Sequence, residues 1–173
     1  MASEASRTRI GLRAPWRQPV SFETMGDEAA SCIECGASGR LGNCGDLFHA
    51  LLALDHQRLQ PWGRFHGLNV ACFLLQHPSQ APAGASDGLW QMVTTFLAGG
   101  LDAVNQLESD RVRSNRRGRK PPLVVGSPPP RTSVPSVTIE DVSVDGSFPA
   151  SGYERRMFEW ASSIAEERMQ RIE

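Results

Sequence analysis

Apolar residues recur with a helical period through most of the chain beyond residue 43. Residues 44–57 place Leu47, Leu51 and Leu54 on one stripe with Phe48 and Leu52 beside it, as expected of a helix with one buried face. Asn43 suits the N-cap of that helix, and Asp46 lies where the positive helix end favours an acid. Pro61 and Gly63 interrupt the pattern. It resumes over residues 62–76, with Phe65, Leu68, Cys72 and Leu75 on one stripe and His66, Val70, Phe73 and His77 on the next. Pro78 closes this second helix, because the residue before a proline is driven out of helical geometry. Ser86 predicts the cap of a third helix with Leu89, Val93, Phe96 and Leu97 inward. Gly99 and Gly100 interrupt it, and a fourth piece, residues 101–115, turns polar after Leu107. Thr138-x-x-Asp141 predicts one short capped turn. Ser151-x-x-Glu154 predicts the start of a last helix, to about residue 172, with Tyr153, Met157, Trp160 and Ile164 on one face. No pair of strands is visible. The expected fold is mainly α, a small helical bundle built on an antiparallel helical hairpin, the first two helices being similar in length and joined by a short turn.

The stretches outside this pattern set the domain boundaries. Residues 1–28 are polar with scattered arginines and read as a disordered arm ahead of one domain, residues 29–173. Residues 111–120 hold six basic side chains: Arg111, Arg113, Arg116, Arg117, Arg119 and Lys120. The proline-rich run that follows cannot be helical and reads as an extended linker. Together they form a basic, Pro-rich insertion at about 111–135.

Charge and hydropathy narrow the setting. A net charge of −1 and a pI near 6.4 give no global attraction to nucleic acid or to membranes. The longest apolar runs are too short to span a bilayer, and the first twenty residues lack the apolar core of a secretory signal. The expectation is a cytoplasmic protein without a membrane partner. Thiols stay reduced there, so the four cysteines call for something other than disulfides.

All four cysteines and all four histidines fall between residues 32 and 77. Cys32-x-x-Cys35 lets two thiolates meet one ion across a tight turn formed by Ile33 and Glu34, with Gly36 relieving the backbone just after it. Cys44 lies close enough to loop back as a third ligand, and its place at a helix N-terminus favours the thiolate. A helix rises about 1.5 Å per residue, so His66 and His77 are roughly 16 Å apart along one helix and cannot both bind the same ion. Antiparallel packing returns His77 to the level of Cys44. The predicted site is therefore a zinc knuckle of Cys32, Cys35, Cys44 and His77, with His66 in reserve. Two other readings of Cys32 and Cys35 stand beside it, a redox pair and two buried thiols; the βαβ setting usual for a redox pair is missing. Cys72, beside Phe73, reads as a core thiol, His49 as a surface or satisfied core residue, and His56 as a solvated residue suited to a helix C-terminus.

The same residues resemble an uncharacterised bacterial family known only as a domain of unknown function. Its pattern of Cys-x-x-Cys-Gly, Cys-x-x-Leu-Phe, a helix-end acid, His-x-Leu-x-Val and Gln-His-Pro meets Cys32, Cys35 and Gly36; Cys44, Leu47 and Phe48; Asp55; His66, Leu68 and Val70; and Gln76, His77 and Pro78. A looser likeness runs through Gly100-Leu101-Asp102, residues 138–142 and the tryptophan-bearing last helix. Relatives often carry Asp-Ala-Tyr where this chain has Ala71-Cys72-Phe73, so an acid and a phenol are missing here. The resemblance strengthens the fold and the site and implies no activity.

Three functions compete. A closed Cys₃His site leaves no open position for water, which predicts a structural zinc in a module that binds a protein partner or a small molecule. A small metal-dependent hydrolase or group-transfer enzyme is the second, with Asp55 and His66 as its catalytic candidates, since an acid beside an imidazole makes a credible general base. The third is a weak nucleic-acid binder through residues 111–120, which could neutralise phosphates but has no aromatic residues to read bases.

Overall fold

Asn43 starts the first helix as the spacing predicts. In the computed structural model, which describes residues 31–57, 59–118 and 130–169, its side chain accepts the amide of Asp46 and opens α1, Cys44–His56. The buried stripe of α1 is Cys44, Leu47, Leu51 and Asp55. The acid at its end takes the place the pattern gave to Leu54, which is only half-buried. The chain then makes a 3₁₀ turn, Trp62–Phe65, where continuous helix was expected, and α2 runs only from His66–Gln76. Pro61 fixes φ just before this turn, and the tighter winding brings Phe65 into the core.

Helix α2 is the central element. Leu68, Asn69, Ala71, Cys72, Phe73, Leu75 and Gln76 are all buried, because α3 and α5 pack on it as well as α1. Phe48 stacks on Phe73 at 3.9 Å, while Asp55 bonds His66 and Asn69, so the start of α1 meets the end of α2 and its end meets their beginning. Helix α3, Ser86–Arg116, buries Trp90, Met92, Val93 and Phe96 before a break at Gly100, whose φ of 66° and ψ of −161° are open only to glycine. Beyond the break Leu101 and Val104 are buried, Leu107 packs partly buried against the core, and the helix then turns mostly polar. The cap at Ser86 is not formed: Ala85 takes that position without a side-chain bond, and Ser86 lies inside the first turn.

Thr138 caps α4, Ile139–Ser143, in the predicted box with Asp141. Helix α5, Tyr153–Met169, buries Tyr153, Met157, Trp160, Ala161 and Ile164 completely. Ser151 gives Arg156 its backbone carbonyl at the start of this helix. Trp160 Nε1 donates to Gln76 Oε1 at 2.9 Å, and Gln76 Nε2 donates to the carbonyl of Val137 at 2.8 Å. One amide thus ties α5 and the segment before α4 to the end of α2. Among the described residues there is no strand, and no helix is long and apolar enough to cross a membrane. The molecule is a small helical bundle. The expected arm at residues 1–28 and Arg119 and Lys120 lie outside the described residues, as does most of the proline-rich run.

Candidate metal centre

The residues ahead of α1 form a tight knuckle. The amide of Gly36 donates to the carbonyl of Cys32, and the amide of Cys32 donates to that of Ala37, both at 2.8 Å. Gly36 sits at φ +77°, and a Cβ there would stand 2.4 Å from Val134 Cγ1, so only glycine fits. Cys44 follows as the first residue of α1. His77 ends α2, where its Nδ1 donates to the carbonyl of Phe73 at 2.9 Å. That bond fixes the tautomer and leaves Nε2 to face the sulfurs. The ring stacks on Phe73 at 4.2 Å, and Phe73 stacks in turn on Phe48.

These elements bring Cys32, Cys35, Cys44 and His77 together, with one ligand atom from each and all within 4.8 Å of one another. Cys32 Sγ lies 3.6 Å from His77 Nε2, and Cys35 Sγ lies 3.5 Å from Cys44 Sγ. A tetrahedral zinc with bonds of about 2.3 Å to sulfur and about 2.0 Å to nitrogen would set these separations at about 3.5 and about 3.8 Å. The donor set fits a metal ion. Three of the four residues are buried and Cys32 is half-buried.

The cluster is electrostatically coupled. The hydrogen bond from Cys44 pulls Cys35 down to about 4 against the effect of burial, and His77 adds to the pull. Cys44 is pushed up by its bond to Cys35, by burial and by the Cys35 charge. The two sulfurs thus shift in opposite directions and share a proton across a contact of 3.5 Å in which either can be the donor. Burial works against a charged His77, yet its bonds to Cys35, to the Phe73 carbonyl and to Cys32 raise it to about 9.

The other sequence candidates fall elsewhere. Asp55, with its side chain 1% exposed, lies 3.2 Å from Nδ1 of the half-exposed His66, so these two meet each other and not the cluster. Asn69 Nδ2 donates to both Asp55 oxygens, at 3.0 and 3.1 Å, and Tyr153 donates to Asn69 Oδ1 at 2.8 Å. Burial raises the Asp55 carboxyl, while Asn69 and His66 act the other way. Cys72 is fully buried and its thiol is pushed up by burial, as befits a core residue. His49 and His56 are exposed. Arg111, one of the basic run, donates to the Gly88 carbonyl and to Gln91 Oε1, so it is spent on holding α3 together.

Sequence reasoning did not find Asn69 and Tyr153 at the Asp55 end, or Glu34 and Glu140 at the cluster. Glu34 accepts the amide of Ser79 at 3.0 Å and its hydroxyl at 2.8 Å. Glu140 accepts the amide and hydroxyl of Ser38, both at 2.8 Å, and the amide of Leu41 at 3.0 Å. In both, burial opposes the charge, and the hydrogen bonds win and lower the carboxyl. Asn69 and Glu140 bond residues 84 to 102 positions away, so no local spacing reveals them. The nearest signal for Glu140 was the capped turn that contains it.

Neither the curated proteins nor the solved structures contain a match to the chain. A family model does match, over residues 30–168, from just before the knuckle to the last turn of α5. That span takes in the cluster, the Asp55–His66 pair and α1 to α5 but for the last residue of α5, and the chain therefore belongs to the family of unknown function DUF5946.

Proposed function

We propose that the protein is a cytoplasmic zinc module in which a structural ion, held by Cys32, Cys35, Cys44 and His77, presents the helical bundle to a protein partner or a small molecule. The observation that carries this reading is the convergence of three sulfurs and one imidazole nitrogen within 4.8 Å. Sulfur-rich sites with four protein ligands are structural as a rule, because no position is left for water or substrate. In this reading the ion joins the knuckle, the start of α1 and the end of α2, and so locks α1 and α2 as an antiparallel hairpin at one end. When bound, zinc supplies cross-linking and no chemistry. Elemental analysis of protein purified without added metal should give one zinc per chain. Cobalt substitution should give the visible and thiolate charge-transfer bands of a tetrahedral Cys₃His site. Protein that is metal-free and takes up no cobalt would refute the reading.

One observation favours the enzyme alternative: the buried Asp55 carboxylate orienting the half-exposed His66 ring. Asp55 lies eleven residues along α1 from Cys44, roughly 16 Å at helical rise, so this pair would work apart from the ion. Both Asp55 oxygens are also taken by Asn69. A structural polar pair accounts for these bonds, and a metal-assisted hydrolase does not. The nucleic-acid reading is weaker still, since Arg111 and Arg113 are engaged within α3.

A further inference from the structure

Two carboxylates outside the ligand set pin the knuckle to the bundle. Glu34, inside Cys32-x-x-Cys35, reaches Ser79, two residues beyond His77. Glu140, on α4, reaches Ser38 and Leu41, both between Cys35 and Cys44. Each loop between successive cysteines is thus tied by one carboxylate, one to the segment after His77 and the other to α4. The Glu140 side chain is 7% exposed, so its three bonds are made largely out of water, with Arg40 at 4.0 Å on one oxygen. The Thr138 capping box holds the turn from which Glu140 projects. Charge-assisted bonds of this kind are the stronger class.

We propose that Glu34 and Glu140 are positioning residues of the metal centre, holding the sulfurs converged on His77 so that the ion meets a formed site. This rests on the reading of the cluster as a metal site. The loop carries Gly36, Gly39 and Gly42 and would otherwise have to be ordered when the ion binds. That ordering entropy would be subtracted from the affinity. Neither carboxylate is among the cluster's ligand residues, so their effect is on placement.

The test measures zinc affinity of the full chain at fixed pH by competition with a chromophoric chelator. Far-UV circular dichroism and melting of the metal-free protein are followed in parallel. Glu140→Gln turns an amide N–H₂ toward donors that need an acceptor, and should weaken zinc about 10- to 100-fold with helix content unchanged, as does the loss of groups that orient metal ligands. Glu34→Gln, on a more exposed side chain, should give a smaller loss. If Glu140→Gln does not fold, Ser38→Ala removes one Glu140 bond from an exposed residue and should still weaken zinc. Wild-type affinity in both Glu34→Gln and Glu140→Gln would overturn the proposal, as would an affinity loss matched by an equal loss of helix. A wild-type chain that binds no zinc is a different result, because it removes the metal reading itself.

Discussion

A buried aspartate is the least expected residue of α1. Its side chain is 1% exposed on the stripe that packs inward, where an unpaired carboxylate would be costly. Asn69 satisfies both oxygens and His66 adds a third contact. Tyr153, its hydroxyl pushed up by burial, stays protonated and donates to Asn69. Tyr153→Phe leaves Asn69 Oδ1 short of a donor, and urea unfolding should show a loss of about 1–3 kcal/mol. His66→Ala should leave metal content unchanged, because the ring belongs to the Asp55 end; a loss of zinc in elemental analysis would reject that separation. The Asp55–His66 pair was legible because both flank one short turn. Asn69 and Tyr153 were not, because hydroxyl and amide meet across the core.

Element boundaries followed local chemistry unevenly. The break at Gly99-Gly100 was visible as a doublet, and the structure places it at Gly100, in backbone geometry closed to other residues. Gly100→Ala has open space for its Cβ, so the cost is conformational alone. Thermal or urea melts should register about 1–3 kcal/mol. Gly36→Ala combines a positive φ with a collision against Val134 and should loosen the knuckle. The expected signature is weaker zinc binding with the helical signal retained. The Asn43 and Thr138 caps were readable as side chains one turn ahead of an apolar run, and both form. Ser86 met the same rule but lies one residue inside the helix, where the turn from Pro82 to Ala85 already sets the chain direction.

At the scale of the molecule, a bound ion would join segments 45 residues apart, from Cys32 to His77. Metal uptake requires thiolates and a neutral imidazole. His77, raised to about 9, is protonated at neutral pH, and the Cys35–Cys44 pair shares a proton as well. Both leave when the ion enters, so zinc affinity should climb as pH rises toward about 9 and fall steadily in acid. Below about 4 the Cys35–Cys44 pair takes up its second proton and binding should be abolished. Chelator titrations at several pH values would check the sign; a flat profile would contradict it. Stripping the ion should lower the melting temperature, by an amount equivalent to about 2.7 kcal/mol when free zinc stands at 100 times its dissociation constant.

The sequence alone determined the helical class, the two caps that form, the glycine break and the grouping of three cysteines with a histidine at a helix end. Each of these is written in short-range spacing, where period, cap and chelate geometry act over a few residues or a known helical rise. Tertiary structure decided what those spacings could not reach. It made α2 the buried centre, since several helices compete for its faces, and it set Cys35 and Cys44 3.5 Å apart, close enough to share a proton. It also brought Glu140 across about a hundred residues to pin the loop between two of the cysteines. Hydrogen bonds and burial depend on distance in space, which the order of residues along the chain encodes only through the completed fold.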